Sequence, residues 1–105
     1  MIEYSNNFLR EAKGLSKKFK LLKFDLKQAV NEIETKHELG VSLGYNLYKK
    51  RVKNSSIPTG KSGGFRIIIY QQLKEKIVLV SIFSKTQKEN LSDNELRTLL
   101  KEYHS

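Results

Sequence analysis

A chain of 105 residues, 38% of them hydrophobic, is read as one domain over residues 1–105 with room for a single modest core. The longest uncharged run near the middle, Ile67 to Leu73, falls far short of the roughly 20 apolar residues that span a bilayer, so no membrane segment is expected. Cysteine is absent and the formal net charge is +9, which excludes disulfides and thiolate chemistry and points to an acidic partner such as a polyanion.

Met1-Ile2-Glu3-Tyr4 lacks the basic start and unbroken apolar stretch of a secretory signal, so a cytoplasmic chain is expected, with Met1 to Tyr4 available as a short first strand. Phe8, Ala12, Leu15 and Phe19 then recur at helical spacing, with Ser5 or Asn6 as the cap. A second helical pattern follows in Leu22, Leu26, Ala29, Val30 and Ile33, and the two predict an antiparallel helical hairpin. Lys17, Lys18, Lys20 and Lys23 crowd the join, where solvation of the turn is favoured over contact with RNA because lysine is common on exposed helix positions.

After Gly40 the pattern changes. Tyr48-Lys49-Lys50-Arg51-Val52 reads as a strand of alternating sidedness, and residues 54–60 form a turn-rich loop. Phe65 to Tyr70 and Ile77 to Phe83 are dense in β-branched and aromatic residues and predict an antiparallel hairpin turning at Gln71 to Lys76. Both alternating faces of Ile77 to Phe83 are apolar, so this strand belongs in the sheet interior with cover on each side. Ser92, three residues before Glu95 and followed by Leu96, Leu99, Leu100 and Tyr103, is a capping-box signature for a last helix. The sum is an α+β fold, with an N-terminal helical hairpin and a C-terminal helix packed on a small antiparallel sheet.

Every carboxylate lies at or before Glu38 or at or after Glu75. The 36 residues from Leu39 to Lys74 therefore carry seven cations and no acid: Lys49, Lys50, Arg51, Lys53, Lys61, Arg66 and Lys74. A one-sign field of this kind attracts a polyanion through phosphate contacts and counterion release. Thr59-Gly60-Lys61-Ser62 ends like a nucleotide-binding loop, yet the first glycine of that pattern would fall at Ser55 and a strand follows rather than a helix. Gly63 and Gly64 permit a tight turn or a close approach to a ligand. On the next strand Arg66, Ile68 and Tyr70 share one face and Phe65, Ile67 and Ile69 the other. Arg66 is accordingly expected at a fixed but exposed strand end, with Lys85 and Lys88 returning toward it after the following strand. His37 and His104 are far apart with no metal-ligand spacing, so neither a metal nor another cofactor is expected.

Gly60-Lys61-Ser62-Gly63-Gly64-Phe65-Arg66, then Val80-Ser81-Ile82-Phe83-Ser84-Lys85 and Asn90-Leu91-Ser92, resemble the RelE/HigB toxins of bacterial toxin–antitoxin modules. The stretches 8–19 and 47–52 are also similar, so the resemblance runs through nearly the whole chain. It implies an endoribonuclease that cuts messenger RNA on the ribosome without a metal, the ribose 2′-OH attacking the adjacent phosphodiester, and a cognate antitoxin as partner. Such a reaction needs a base, cations for the phosphorane and an acid for the leaving oxygen. Carried over by position, Arg66 would stabilise the phosphate, with Lys85 and Lys61 as further catalytic cations. Lys49, Arg51, Lys53 and Lys88 would grip the RNA backbone. The chain departs from the family pattern at Ser92, near a functional tyrosine position, and at Thr86, where a cation is expected, which leaves the proton donor and acceptor open.

Two other readings compete. A ParE-like toxin shares the fold but inhibits DNA gyrase, and the dense cations around the glycines argue against it. A non-catalytic RNA- or ribosome-binding protein would use Tyr45, Tyr48, Phe65 or Tyr70 to stack bases.

Overall fold

The computed structural model describes residues 2–58, 63–73, 76–88 and 90–104, and the side chains of these except 73 and 102–104. The elements run β1 (Ile2–Tyr4), α1 (Asn6–Lys18), α2 (Leu22–Lys36), β2 (Val41–Gly44), β3 (Leu47–Val52), β4 (Phe65–Leu73), β5 (Lys76–Ser84) and α3 (Asp93–His104). The strands form a sheet in the order β1-β5-β4-β3-β2. Between β4 and β5, residues 74 and 75 of the expected turn lie outside the described residues.

Local chemistry sets the helix ends. Ser5 is extended, and its Oγ accepts the Phe8 N–H at 3.0 Å, satisfying one of the donors a helix start leaves without a partner. At the far end of α2, His37 adopts the left-handed conformation (φ 54°) and returns its N–H to the Ile33 carbonyl at 3.1 Å. The expected capping box opens α3, with Ser92 N–H donating to Glu95 Oε1 at 2.9 Å and Glu95 N–H to Ser92 Oγ at 3.1 Å.

The alternation of β4 and β5 divides the core in two. Phe65, Ile67 and Ile69, with Ile77, Leu79 and Ile82, pack beneath Phe8, Leu15, Phe19, Leu22, Ala29 and Ile33 of the helical hairpin. On the reverse face Ile68, Tyr70, Val78, Val80 and Phe83 join Leu47 and take cover from Leu96, Leu99 and Leu100 of α3. The sheet is therefore sandwiched between helices, and β5 is covered on both faces as its composition predicts. In the β4–β5 register Arg66 lies opposite Phe83, with an irregularity between Ile68 and Ile69.

Two features differ from the sequence expectation. The sheet is mixed, because β1 runs parallel to β5. A hairpin turn forces neighbouring strands to be antiparallel, and no such turn joins β1 to β5. The second is β2, which pairs antiparallel with β3 through Tyr45 and Asn46, both left-handed (φ 55° and 61°). Two successive positive φ values give the twist that a short hairpin requires.

Because β1 is so short, β5 loses its strand neighbour beyond Leu79, and the first turns of α1 take that place. Ser5 N–H donates to Leu79 O at 3.0 Å, and Asn7 Nδ2 donates to Val80 O at 2.9 Å. Glu11 Oε1 accepts from Ser81 Oγ at 2.7 Å and from Ile82 N–H at 3.2 Å. These contacts satisfy an edge that would otherwise present free backbone groups.

Candidate RNA interface

The cations that the sequence singles out gather at one end of the sheet face that α3 covers at its other end. Cross-strand register places Arg51 opposite Arg66, and Arg66 opposite Phe83, so these side chains share one row across β3, β4 and β5. Lys49 lies two residues from Arg51, opposite Ile68 and on the same face. Arg51 and Lys53 are exposed and Lys49 is half-buried.

Arg66 departs from expectation. It is buried, with only 1% of its surface accessible, and its Nη1 donates to the Phe65 carbonyl at 3.2 Å. Around it, two residues of the chain after β5 meet the neighbouring strands. Lys88 stands over the Phe83 ring, 5.4 Å from its centroid, while Asn90 Oδ1 accepts a hydrogen bond from Lys49 Nζ. Lys88 thus sits above β5 and Asn90 beside β3, on either side of the strand that carries Arg66. Leu91 packs against the α3-side core. Alternation along β4 fixes the face on which Arg66 lies, but only tertiary structure reveals that it is buried there.

Lys85 is exposed, and its backbone N–H donates to the Gly64 carbonyl at 3.1 Å, which ties it to the glycine turn as the sequence predicts. Gly64 itself is needed for close approach to the protein's own backbone rather than to a ligand. A Cβ there would stand 2.0 Å from Val52 O, inside any van der Waals distance. Thr59, Gly60, Lys61 and Ser62 lie outside the described residues, so the catalytic cation expected at Lys61 has no described position. The loop leading to them is pinned by Asp25 of α2. This carboxylate is buried and accepts Ser55 N–H at 2.8 Å and Ser55 Oγ–H at 2.6 Å.

The charge field is also thinner than the sequence suggests. Lys50 alternates to the opposite face, where its buried ammonium lies 3.1 Å from Glu32 and 3.7 Å from Glu38. It serves the contact between β3 and the end of α2. Lys88, by contrast, meets a carboxylate at the site itself, Glu95 Oε2 at 3.1 Å. Two groups that sequence reasoning missed, Glu95 and Asn90, therefore hold two of the proposed RNA-gripping lysines. The Glu95 carboxyl is held below the usual glutamate range, first by the Ser92 backbone N–H and then by the Lys88 hydrogen bond. Sequence shows the capping box but not that its glutamate also reaches Lys88.

Of the aromatic residues considered for base stacking, Phe65 and Tyr70 are buried, Tyr48 is partly buried against the helical core, and Tyr45 projects from the β2–β3 turn with 86% of its surface exposed. Among the described residues no group of three or more His, Cys, Asp or Glu is placed to hold a metal ion. No helix among them is long and apolar enough to cross a membrane.

The arrangement gathers a buried arginine with exposed and half-buried cations at one end of a sheet face, a charge suited to binding phosphates. A comparison with curated proteins gives no match. The family model described as the RelE toxin of the RelE/RelB toxin–antitoxin system matches residues 5–104. With nearly its whole length matched, the chain belongs to the RelE toxin family, the toxin half of a toxin–antitoxin system.

Proposed function

We propose that the chain, acting as a single RelE-type domain, is a ribosome-dependent endoribonuclease that cleaves messenger RNA. The observation that carries this reading is the row Arg51, Arg66 and Phe83, flanked by Lys49, Lys85 and Lys88, on one end of a sheet face. Exposed Arg51 and Lys53, with half-buried Lys49 and Lys88, supply the phosphate grip. Arg66 and Lys85 stand nearest the reacting phosphate, and Lys61 precedes the glycine turn in sequence.

In the reaction the 2′-oxygen loses its proton and attacks the neighbouring phosphorus, the bond from phosphorus to the 5′-oxygen breaks, and that oxygen takes up a proton. A 2′,3′-cyclic phosphate remains on one fragment. The planar guanidinium of Arg66 can hold two phosphorane oxygens at once and stays charged throughout. Because Arg66 is buried in the free protein, the contact requires the side chains around it to yield to the RNA. The phosphates would take over the partners that Lys49 and Lys88 now find in Asn90 and Glu95.

The ribosome supplies the orientation that a site built mainly of cations lacks. The partner antitoxin would silence the toxin by covering the cationic face or the helices. The burial of Arg66 favours a second reading, that of a non-catalytic RNA-binding protein. Incubation with translating ribosomes separates the two. New message ends bearing cyclic phosphate support the nuclease, whereas stable binding with intact message supports the binder. Sustained protein synthesis with failing DNA supercoiling would instead indicate gyrase inhibition.

A further inference from the structure

Past the end of β1, the first turns of α1 and of α3 border a cleft of about 370 Å³ beside β5. A polar network lines it. Glu11 Oε1 accepts three hydrogen bonds, from Asn7 Nδ2 at 2.8 Å, Ser81 Oγ at 2.7 Å and Ile82 N–H at 3.2 Å. Among the described residues Oε2 accepts none, so the carboxylate is fixed through one oxygen and keeps the other for a ligand. Next to it Arg10, at an exposed position, donates Nη2 to Asn7 Oδ1 at 2.6 Å, which orients the guanidinium and leaves it further N–H groups to donate. Leu91 and Leu99, both half-buried, supply apolar surface. Lys88 lines the cleft and also stands over Phe83, so it joins the cleft to the cationic row.

We propose that this cleft receives a base of the bound RNA, one that presents an amino group beside a ring-nitrogen acceptor, as adenine and cytosine do. The proposal rests on the cationic row being an RNA interface, whether or not the chain cuts. Charge selects the class of ligand. Arg10 and Lys88 balance Glu11 and Glu95, so the cleft favours neither a second phosphate nor a cation. A base is neutral and flat, offers its face to the leucines and carries both donors and acceptors on its edge. Glu11 Oε2 accepts from the amino group while the Arg10 guanidinium donates to the ring nitrogen, the pairing of side-chain and base chemistry that reads nucleic-acid edges. Uracil and guanine reverse this edge, with a carbonyl in place of the amino group and an N–H in place of the ring acceptor. Acceptor would then face acceptor and donor face donor, each losing its partner in water without replacing it. Lys88 holds the phosphate of the nucleotide whose base enters, which makes Glu11 and Arg10 the residues that set base preference beside the cationic row.

The test measures binding of the whole chain to uracil octamers of 2′-O-methyl RNA, which lack the attacking hydroxyl and stay intact, with one position changed to adenine, cytosine or guanine. The adenine and cytosine octamers are expected to bind about tenfold or more tightly than the uracil and guanine ones. They should also shift the methyl resonances of Leu91, Thr98 and Leu99, which line the cleft. Glu11→Gln keeps an oxygen for the three fixed donors and turns Oε2 into an amide donor, so it should bring the adenine and cytosine octamers down to the level of the other two. Thr98→Trp, at an exposed position on α3, fills the cleft and should erase the same preference, with the fold of both variants checked by melting. Equal binding of all four octamers by the parent would overturn the proposal and leave the RNA reading standing. An equal drop for all four in Glu11→Gln would make Glu11 a purely structural residue and overturn it too. Failure of every octamer to bind would sink the proposal together with the RNA interface, whereas intact message on the ribosome would bear on the nuclease reading alone.

Discussion

Replacing Asp25 by alanine tests how the helical hairpin holds the loop that leads into the glycine turn. The carboxylate is 4% exposed and accepts both the backbone N–H and the hydroxyl of Ser55, at 2.8 and 2.6 Å. A hydrogen bond to a charged group contributes about 1.5–3 kcal/mol net, and Ser55 is half-buried, so water recovers part of the loss. The cost of Asp25→Ala should then be about 2–4 kcal/mol, which lowers the melting temperature of a domain this size by roughly 10–20 °C. Ser55→Ala removes only the hydroxyl and should cost about 1 kcal/mol. The neighbouring anchor, Leu21 N–H donating to Ser56 Oγ at 3.0 Å, remains in both variants. Thermal melts of the two single variants and the double variant form a cycle, in which coupling of about 1 kcal/mol is expected. Faster amide exchange at Ser55 and Ser56 should accompany Asp25→Ala. A melt within about 2 °C of the parent, or strictly additive costs, would refute the anchoring argument.

Gly64→Ala should destabilise by on the order of 2–4 kcal/mol, since the new methyl collides with Val52 backbone and forces β3 and β4 apart where they end; a parental melt would show that the strand ends move apart freely. Glu95, whose folded carboxyl is held below its unfolded value, contributes stability that is present above the unfolded value and lost as pH falls through the folded one. Amide protection at the start of α3 should decline over that acidic window, and Glu95→Gln should remove the dependence; an unchanged profile in Glu95→Gln would assign it to another group. Lys85→Ala and Lys53→Ala, both at exposed positions, should leave stability within about 0.5 kcal/mol, with the larger fall in ribosomal cleavage for Lys85→Ala. The reverse order would move the reacting phosphate toward the end of β3.

Much of the architecture is legible in sequence because its signals are local. The apolar alternation of Phe65 to Tyr70 assigns each side chain to the face it occupies, Ser5 and the Ser92–Glu95 pair mark helix starts, and the helical spacing of Phe8 to Phe19 orients α1. Lys50 was readable in part, since alternation places it opposite Lys49 and Arg51; its carboxylate partners on α2 and beyond are set by tertiary packing. The β2 strand was hidden because Val41 to Gly44 is short and its turn residues, Tyr45 and Asn46, do not form one of the usual glycine-bearing hairpin pairs. The site was the least legible. Arg66 reads as an exposed strand end but is buried by tertiary packing, and Glu11, which reads as a solvated helix position, closes the β5 edge.

The central claim is that Arg66 meets the reacting phosphate of ribosome-bound message. Alanine is a poor probe at so buried a position, because it leaves a void and strands whatever the guanidinium held, at a cost of about 3–5 kcal/mol. Arg66→Met keeps most of the volume without the charge and is expected to fold, which a melt verifies. The decisive measurement is the single-turnover rate at which parent and Arg66→Met cleave message on translating ribosomes. Loss of one preorganised donor should slow the variant by about 100- to 1,000-fold. A folded Arg66→Met that cuts at the parental rate would contradict the account.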